Sequence, residues 1–162
     1  MPDRAWRRGG AELESAPRAA RRETTHDSSA GHDVMTIELN HTIVYSRDKR
    51  VSSDFLAGLF GLPSPMAWGP FLAIEVANKV TLDFRDADGE VDAQHYCFLV
   101  GEDDFDEIFG RIRAQGLPYW ADPGHDKPGE INTHDGGRGV YFDDPSGHQL
   151  EIITRPYGEA RG

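Results

Sequence analysis

A chain of 162 residues with 38% hydrophobic residues and a formal net charge of -11 at pH 7 can build one core, or two half-domains that share one, but not two independent catalytic domains. Nowhere does it hold the roughly 20 consecutive apolar residues that a membrane-spanning helix requires. Residues 1–35 contain six Lys/Arg and six Asp/Glu, so the net charge arises from residue 36 onward; that sign repels phosphate backbones and anionic headgroups, which argues against nucleic acid and membrane surfaces and for a small-molecule partner.

Taken in chain order, residues 1–35 are rich in Arg, Ala, Gly and Ser, lack a signal-peptide core and have no apolar periodicity, which predicts a disordered tail. Residues 36–46 alternate and are β-branched, the pattern of a strand, and Ser46 or Asp48 then caps a helix. In that helix Val51, Phe55, Leu56, Leu59 and Phe60 recur at helical spacing, and Gly61 with Pro63 supplies the stop. Short strands follow at 66–68, 71–77 and 79–85. Residues 86–93 then form an acidic linker with a turn at Asp88-Gly89.

The order now repeats. A strand over 94–100 leads to a helix over 103–115, whose Phe105, Ile108, Phe109 and Ile112 make one apolar stripe and which Gly116 ends. A strand at 119–121, a long polar loop over 122–137 with the composition of a lid, a strand at 139–143, a turn at Pro145-Ser146-Gly147 and a strand over 148–155 complete the pattern. The element order is βαβββ twice, module one over 36–86 and module two over 93–156, within a domain spanning 36–157 and followed by a short tail at 158–162. The expected fold class is α+β: paired modules forming a curved, partly open mixed β-sheet barrel around a cleft, with the helices outside. Cys97 is the only cysteine, which excludes an intrachain disulfide, fits a reducing compartment and makes the cytoplasm the expected location.

Duplication places His41 and His95 symmetrically, each in the first strand of its module. Asp83 and Glu151 match in the last strands, each projecting opposite its apolar neighbours toward whatever the sheet encloses. One such histidine alone is more often a hydrogen-bonded strand residue than a ligand; the symmetric set of two imidazoles and two carboxylates reverses that balance. Those donors suit one borderline divalent ion, Fe, Ni, Mn, Zn or Co, with positions left open for substrate oxygens. Such an ion would act as a Lewis acid, with Asp83 and Glu151 as the groups that handle protons. Lys127 and Arg138 offer positive charge to an anionic substrate group or simply solvate the long loop. Trp68, Phe71, Tyr119 and Trp120 either fill the core or line a substrate wall, and Cys97 shares a strand face with His95.

Three segments, Leu39-Asn40-His41, Gln94-His95-Tyr96 and the run from Tyr141 through Asp143-Asp144-Pro145-Ser146-Gly147-His148-Gln149-Leu150 to Glu151, resemble the vicinal oxygen chelate superfamily. That superfamily includes glyoxalase I, extradiol dioxygenases, fosfomycin-modifying thiol transferases and bleomycin-resistance proteins. The likeness covers residues 36–157. It implies metal ligation by His41, His95 and Glu151, and sets Asp83 where glyoxalase I has a metal-binding glutamate base that is one methylene longer. It also implies a homodimer whose sites are shared between chains. Lys127, Arg138, Tyr141 and Trp68 are the candidate substrate-binding residues. The expected activity is lyase or thiol-transferase chemistry on a small oxygen-rich molecule, with a low-molecular-weight thiol as possible co-substrate. The alternatives are an extradiol-type ring-cleaving dioxygenase and a non-enzymatic drug-binding protein. Ile43 departs from the threonine that fosfomycin-modifying enzymes carry two residues after the first histidine, which counts against fosfomycin as the substrate.

Overall fold

Alternation sets the strands. In the first, β1 (His41–Ser46), Val44 and Ser46 are buried while His41, Ile43 and Tyr45 face outward, as a period of two requires. The computed structural model describes residues 37–158, so the tail expected over 1–35, and all but Gly158 of the one expected at 158–162, lie outside the described residues. The strand begins at His41 rather than at residue 36. Residues 37–40 are exposed, and the Asn40 carbonyl, accepting from the Thr81 N–H at 3.0 Å, is where pairing starts.

Helix α1 (Lys49–Phe60) is capped by Asp48, not Ser46, and the Asp48 carboxylate accepts from the N–H groups of Arg50 and Val51. Such a cap satisfies donors that the first turn leaves orphaned. Gly61 ends the helix at φ 69°, a left-handed conformation that glycine adopts at little cost. Strands β2 (Met66–Trp68), β3 (Phe71–Glu75) and β4 (Thr81–Asp86) complete the first module. The second consists of β5 (His95–Leu99), α2 (Glu102–Ala114), β6 (Tyr119–Trp120), β7 (Gly139–Asp143) and β8 (Gln149–Ile153). A single 3₁₀ turn, His134–Gly136, interrupts the long loop.

Each module forms a four-stranded mixed sheet with the same topology, β1-β4-β3-β2 in the first and β5-β8-β7-β6 in the second. The opening strand of each module lies parallel to the closing one, and the other pairs are antiparallel. The class is therefore α+β, with both sheets open. One hydrophobic cluster joins the modules. Val44, Leu72, Ile74, Leu82 and Phe84 from the first sheet meet Val140, Phe142, Leu150 and Ile152 from the second, with Leu56 and Leu59 of α1 and Phe105, Ile108 and Ile112 of α2. Burying side chains of this size contributes about 1.5–3 kcal/mol each, so neither module is expected to stand alone.

A buried polar peg also fixes one module to the other. His148, 1% exposed, accepts the Gln94 N–H at Nδ1 (3.0 Å). Its ring proton is therefore on Nε2, which donates to the Tyr45 carbonyl at 2.7 Å in β1 of the other module. Alongside, the hydroxyls of Ser52 and Ser146 are 2.9 Å apart, and Ser146 accepts the Arg47 N–H. His148→Ala removes a buried ring and leaves the part-buried Gln94 N–H and Tyr45 carbonyl without their partner. Each lost hydrogen bond costs about 1 kcal/mol and the cavity left by the ring adds to that, so the variant is expected to lose about 3 kcal/mol of unfolding free energy in denaturant titrations.

Candidate metal centre

The ladder registers of the two modules correspond at the positions of the histidines and carboxylates. His41 pairs with Thr81 and Ile43 with Asp83; His95 pairs with Gln149 and Cys97 with Glu151. In each sheet the histidine thus stands in the row next to the carboxylate, on the same outer face. Across that second row Asp83 is followed by Ala73 and Met66, and Glu151 by Tyr141 and Trp120. The frame is duplicated while the side chains on it differ in size.

On the second sheet the geometry is that of a half-built site. Glu151 is 1% exposed, and its Oε2 lies 3.3 Å from His95 Nε2. The other oxygen, Oε1, accepts the hydroxyl of Tyr157. Tyr141 stacks on the His95 ring at 5.9 Å between centroids and 28° between planes, and its hydroxyl is 3.4 Å from that of Tyr157. Burial, reinforced by the hydrogen bond to Glu151, raises the Tyr157 phenol above its ordinary range. Burial likewise pushes Tyr141 up to about 12. The Cys97 thiol is also pushed up to about 12, first by burial and then by the charge and hydrogen bond of Glu151. Glu151 is therefore surrounded by neutral, proton-bearing groups, with His95 half-open to solvent beside it.

On the first sheet Asp83 is 1% exposed, and its Oδ1 has no hydrogen-bond partner. A buried carboxylate oxygen without a donor is costly and marks a place where an ion or a polar group completes the structure. His41 is exposed, held by the Asn40 side chain at 2.9 Å from Nδ1. The structure thus brings His95 and Glu151 together and keeps His41 and Asp83 on the other sheet. Among the described residues no group of three potential ligands gathers within one chain. Two imidazoles, a buried carboxylate in contact with one of them and a second buried carboxylate lacking a partner are donors that fit a divalent ion of the Fe-to-Zn series.

The remaining candidates divide. Tyr141 faces the site. Trp68, 62% exposed, lies on the outer face of the first sheet in the row of Phe71, with their ring centroids 6.3 Å apart. Lys127 lies exposed on the loop, its N–H bound to Asp122. Arg138 does not face the site. Its guanidinium binds Glu102 and Asp106 in the first turns of α2 and lies over the Phe105 ring at 4.4 Å, so its charge is already paired and its role is to tie the loop to the helix.

Nor is the 122–137 loop a free lid. The Asp122 carboxylate accepts the N–H groups of Gly124, Asp126 and Lys127. Asn132 exchanges backbone hydrogen bonds with Gly139 at 2.8 and 2.9 Å. A Cβ at Gly139 would stand 2.7 Å from the Asn132 side chain and would push that amide off the Ala121 carbonyl to which it donates. The loop stacks His125 flat on Trp120 at 3.7 Å and 6° and sets its Nε2 3.7 Å from Asp143 and 3.2 Å from the Gln149 amide. Sequence reasoning missed His125, Tyr157 and the peg of His148. Only His148 left a trace, inside the run that ends at Glu151.

Comparison with known proteins agrees with this fold. The family model described as the glyoxalase/bleomycin resistance protein/dioxygenase superfamily matches residues 38–152. The glutathione transferase FosA of Serratia marcescens is 28% identical over 124 residues, 73% of this chain and 81% of that protein. Two solved structures are far more similar. Oxidase ChaP-H1 is 61% identical, covering 76% of this chain and 99% of that one with a TM-score of 0.75. Oxidase ChaP-H2 is 60% identical, covering 78% and 99% with a TM-score of 0.76.

Proposed function

Because the chain belongs to the glyoxalase/bleomycin resistance protein/dioxygenase superfamily, we propose that it is a metal-dependent oxidase acting on a small molecule with adjacent oxygen atoms. The observation that carries this reading is its identity of 60–61% to two oxidases over nearly their whole length. The 28% identity to a glutathione transferase supports the thiol-transferase or lyase alternative less strongly, and Ile43 weakens the fosfomycin form of it further. One divalent ion would be held by His95 and Glu151 of one chain and His41 of a second copy, with Asp83 beside it. A redox-active ion there, iron foremost, would offer a chelation point for the two substrate oxygens and a path for electrons from the substrate to molecular oxygen.

The chain's own residues do the rest. Tyr141 keeps its proton on the hydroxyl oxygen at neutral pH and donates it in hydrogen bonding. Trp120 and Tyr141 form one aromatic wall, and Trp68 and Phe71 of the partner copy's equivalent face form the other. Asp83, next to the small Ala73, is the group best placed to take up a proton from substrate. The exposed apolar side chains Ile43, Tyr45, Met66 and Trp68 on the first sheet, and Leu99 on the second, lie on the same faces as the ligands. An apolar surface around incomplete sites supports closure by a two-fold dimer. None of the helices in the described residues is long and apolar enough to cross a membrane; the acidic charge supports a small-molecule partner, and the single cysteine supports a reducing compartment such as the cytoplasm.

Oxygen uptake tests the reading. Protein loaded anaerobically with ferrous ion, then given oxygen and a panel of catechols and 2-hydroxyketones, is expected to consume oxygen in a reaction that chelation abolishes. Anaerobic consumption of glutathione against an electrophilic probe, with no oxygen uptake on any compound, would replace oxidation by thiol transfer. Probe binding that survives chelation undiminished, without turnover, would identify a sequestering protein.

A further inference from the structure

We infer that Tyr157 orients Glu151 for metal ligation, its hydroxyl occupying one carboxylate oxygen so that the other is turned toward His95 and the ion. The inference rests on the proposed metal site and adds to it a residue outside the strands. The two oxygens of Glu151 are not equivalent in the structure: Oε1 takes the Tyr157 hydroxyl and Oε2 lies against His95. A carboxylate with both oxygens free can rotate or chelate with either; one oxygen anchored by a donor leaves a single oxygen for the metal.

Tyr157 is itself held in place. After β8 the chain bends at Thr154 and Arg155 and returns across the outer face of the second sheet. The Gly158 N–H donates to the Asp135 carboxylate at 3.2 Å, and the His134 ring meets the tyrosine edge-on at 6.5 Å. Gly137 accommodates this return, since a Cβ there would come within 2.9 Å of the Arg155 Cβ. Because the single Tyr157 proton goes to Glu151, the Tyr157 oxygen accepts from the Tyr141 hydroxyl 3.4 Å away. The hydrogen bonds therefore run in one direction, Tyr141 to Tyr157 to Glu151. Partners of this kind fix ligand orientation and typically account for a 10- to 100-fold difference in metal affinity.

Cobalt(II) is the probe, since it reports coordination in the visible spectrum as well as binding. In the full-length protein, Tyr157→Phe keeps the ring and removes only the donor. It is expected to weaken cobalt binding about 10- to 100-fold and to alter the ligand-field spectrum at saturating cobalt as the carboxylate changes its mode, while the metal-free protein stays folded and unfolds at a lower denaturant concentration than wild type. Reading the spectrum at saturation separates a coordination effect from any loss of stability. Wild-type affinity together with an unchanged spectrum, in a background where Glu151→Ala abolishes binding, would overturn the inference and leave the metal site standing. Failure of the wild-type protein itself to bind cobalt would overturn the metal site and the inference with it.

Discussion

Glu151→Ala is expected to abolish metal binding while leaving the protein folded. Four-donor zinc sites are worth about 10–16 kcal/mol, so one donor carries about 2.5–4 kcal/mol, a factor of about 70 to 900 in affinity. At micromolar metal that loss reads as no binding. Stability should respond differently. Glu151 is almost wholly buried, and its neighbours Tyr141, Tyr157 and Cys97 are all kept protonated. Removing a buried carboxylate relieves its desolvation penalty, which partly offsets the cavity and the lost hydrogen bond from Tyr157. Calorimetric melts make the distinction: saturating metal should raise the wild-type melting temperature, as a ligand of the native state must, and should leave that of Glu151→Ala unmoved. A variant that still bound one metal per chain with wild-type affinity would remove Glu151 from the site.

The second large effect concerns assembly. His41 and Asp83 belong to one sheet and His95 and Glu151 to the other, and no three of them gather within one chain among the described residues. A two-fold dimer that pairs unlike modules builds both sites by the same operation. Co-expressed His41→Ala and Glu151→Ala chains should then give heterodimers in which one site carries both lesions and the other carries neither. One metal per heterodimer is expected, against essentially none in either parent homodimer. If each site were formed within a single chain, every site in the heterodimer would keep a lesion. A tag-purified heterodimer binding no metal would therefore reject the shared site while leaving the ligand assignment intact.

Much of this frame was legible in the sequence because it rests on local periodicity. Alternation in β1 and β8, the apolar stripe of α2 and the stops at Gly61 and Gly116 each follow from the residue and its immediate neighbours. Duplication then placed His41 against His95 and Asp83 against Glu151, and the ladder registers repeat that correspondence. Boundaries were less readable. β8 ends at Ile153, not 155, because Thr154 and Arg155 turn the chain back over its own sheet, a bend that no local pattern announces. Pairings across long separations were invisible. Arg138 reads as a free cation until α2 brings Glu102 and Asp106 to it from more than 30 residues away. Tyr157 follows a proline beyond the last strand, where composition suggests only the end of the domain, and its value lies entirely in what the fold places beneath its hydroxyl.

The His148 peg bears on how such a protein can change over evolutionary time. Its partners are main-chain groups, the Gln94 N–H and the Tyr45 carbonyl, so the alignment of the modules does not depend on which side chains those residues carry. The outer faces of the two sheets vary independently of it: Ala73 and Tyr141 occupy equivalent positions in β3 and β7 without disturbing the register. A scaffold secured on one side through its backbone tolerates mutational drift on the other, and a change in preferred substrate then needs only new outward-facing residues, not a new fold. Libraries that randomise Ala73, Met66, Ile43 and Trp68 while retaining His148 should accordingly yield a high fraction of folded variants with altered ligand preference.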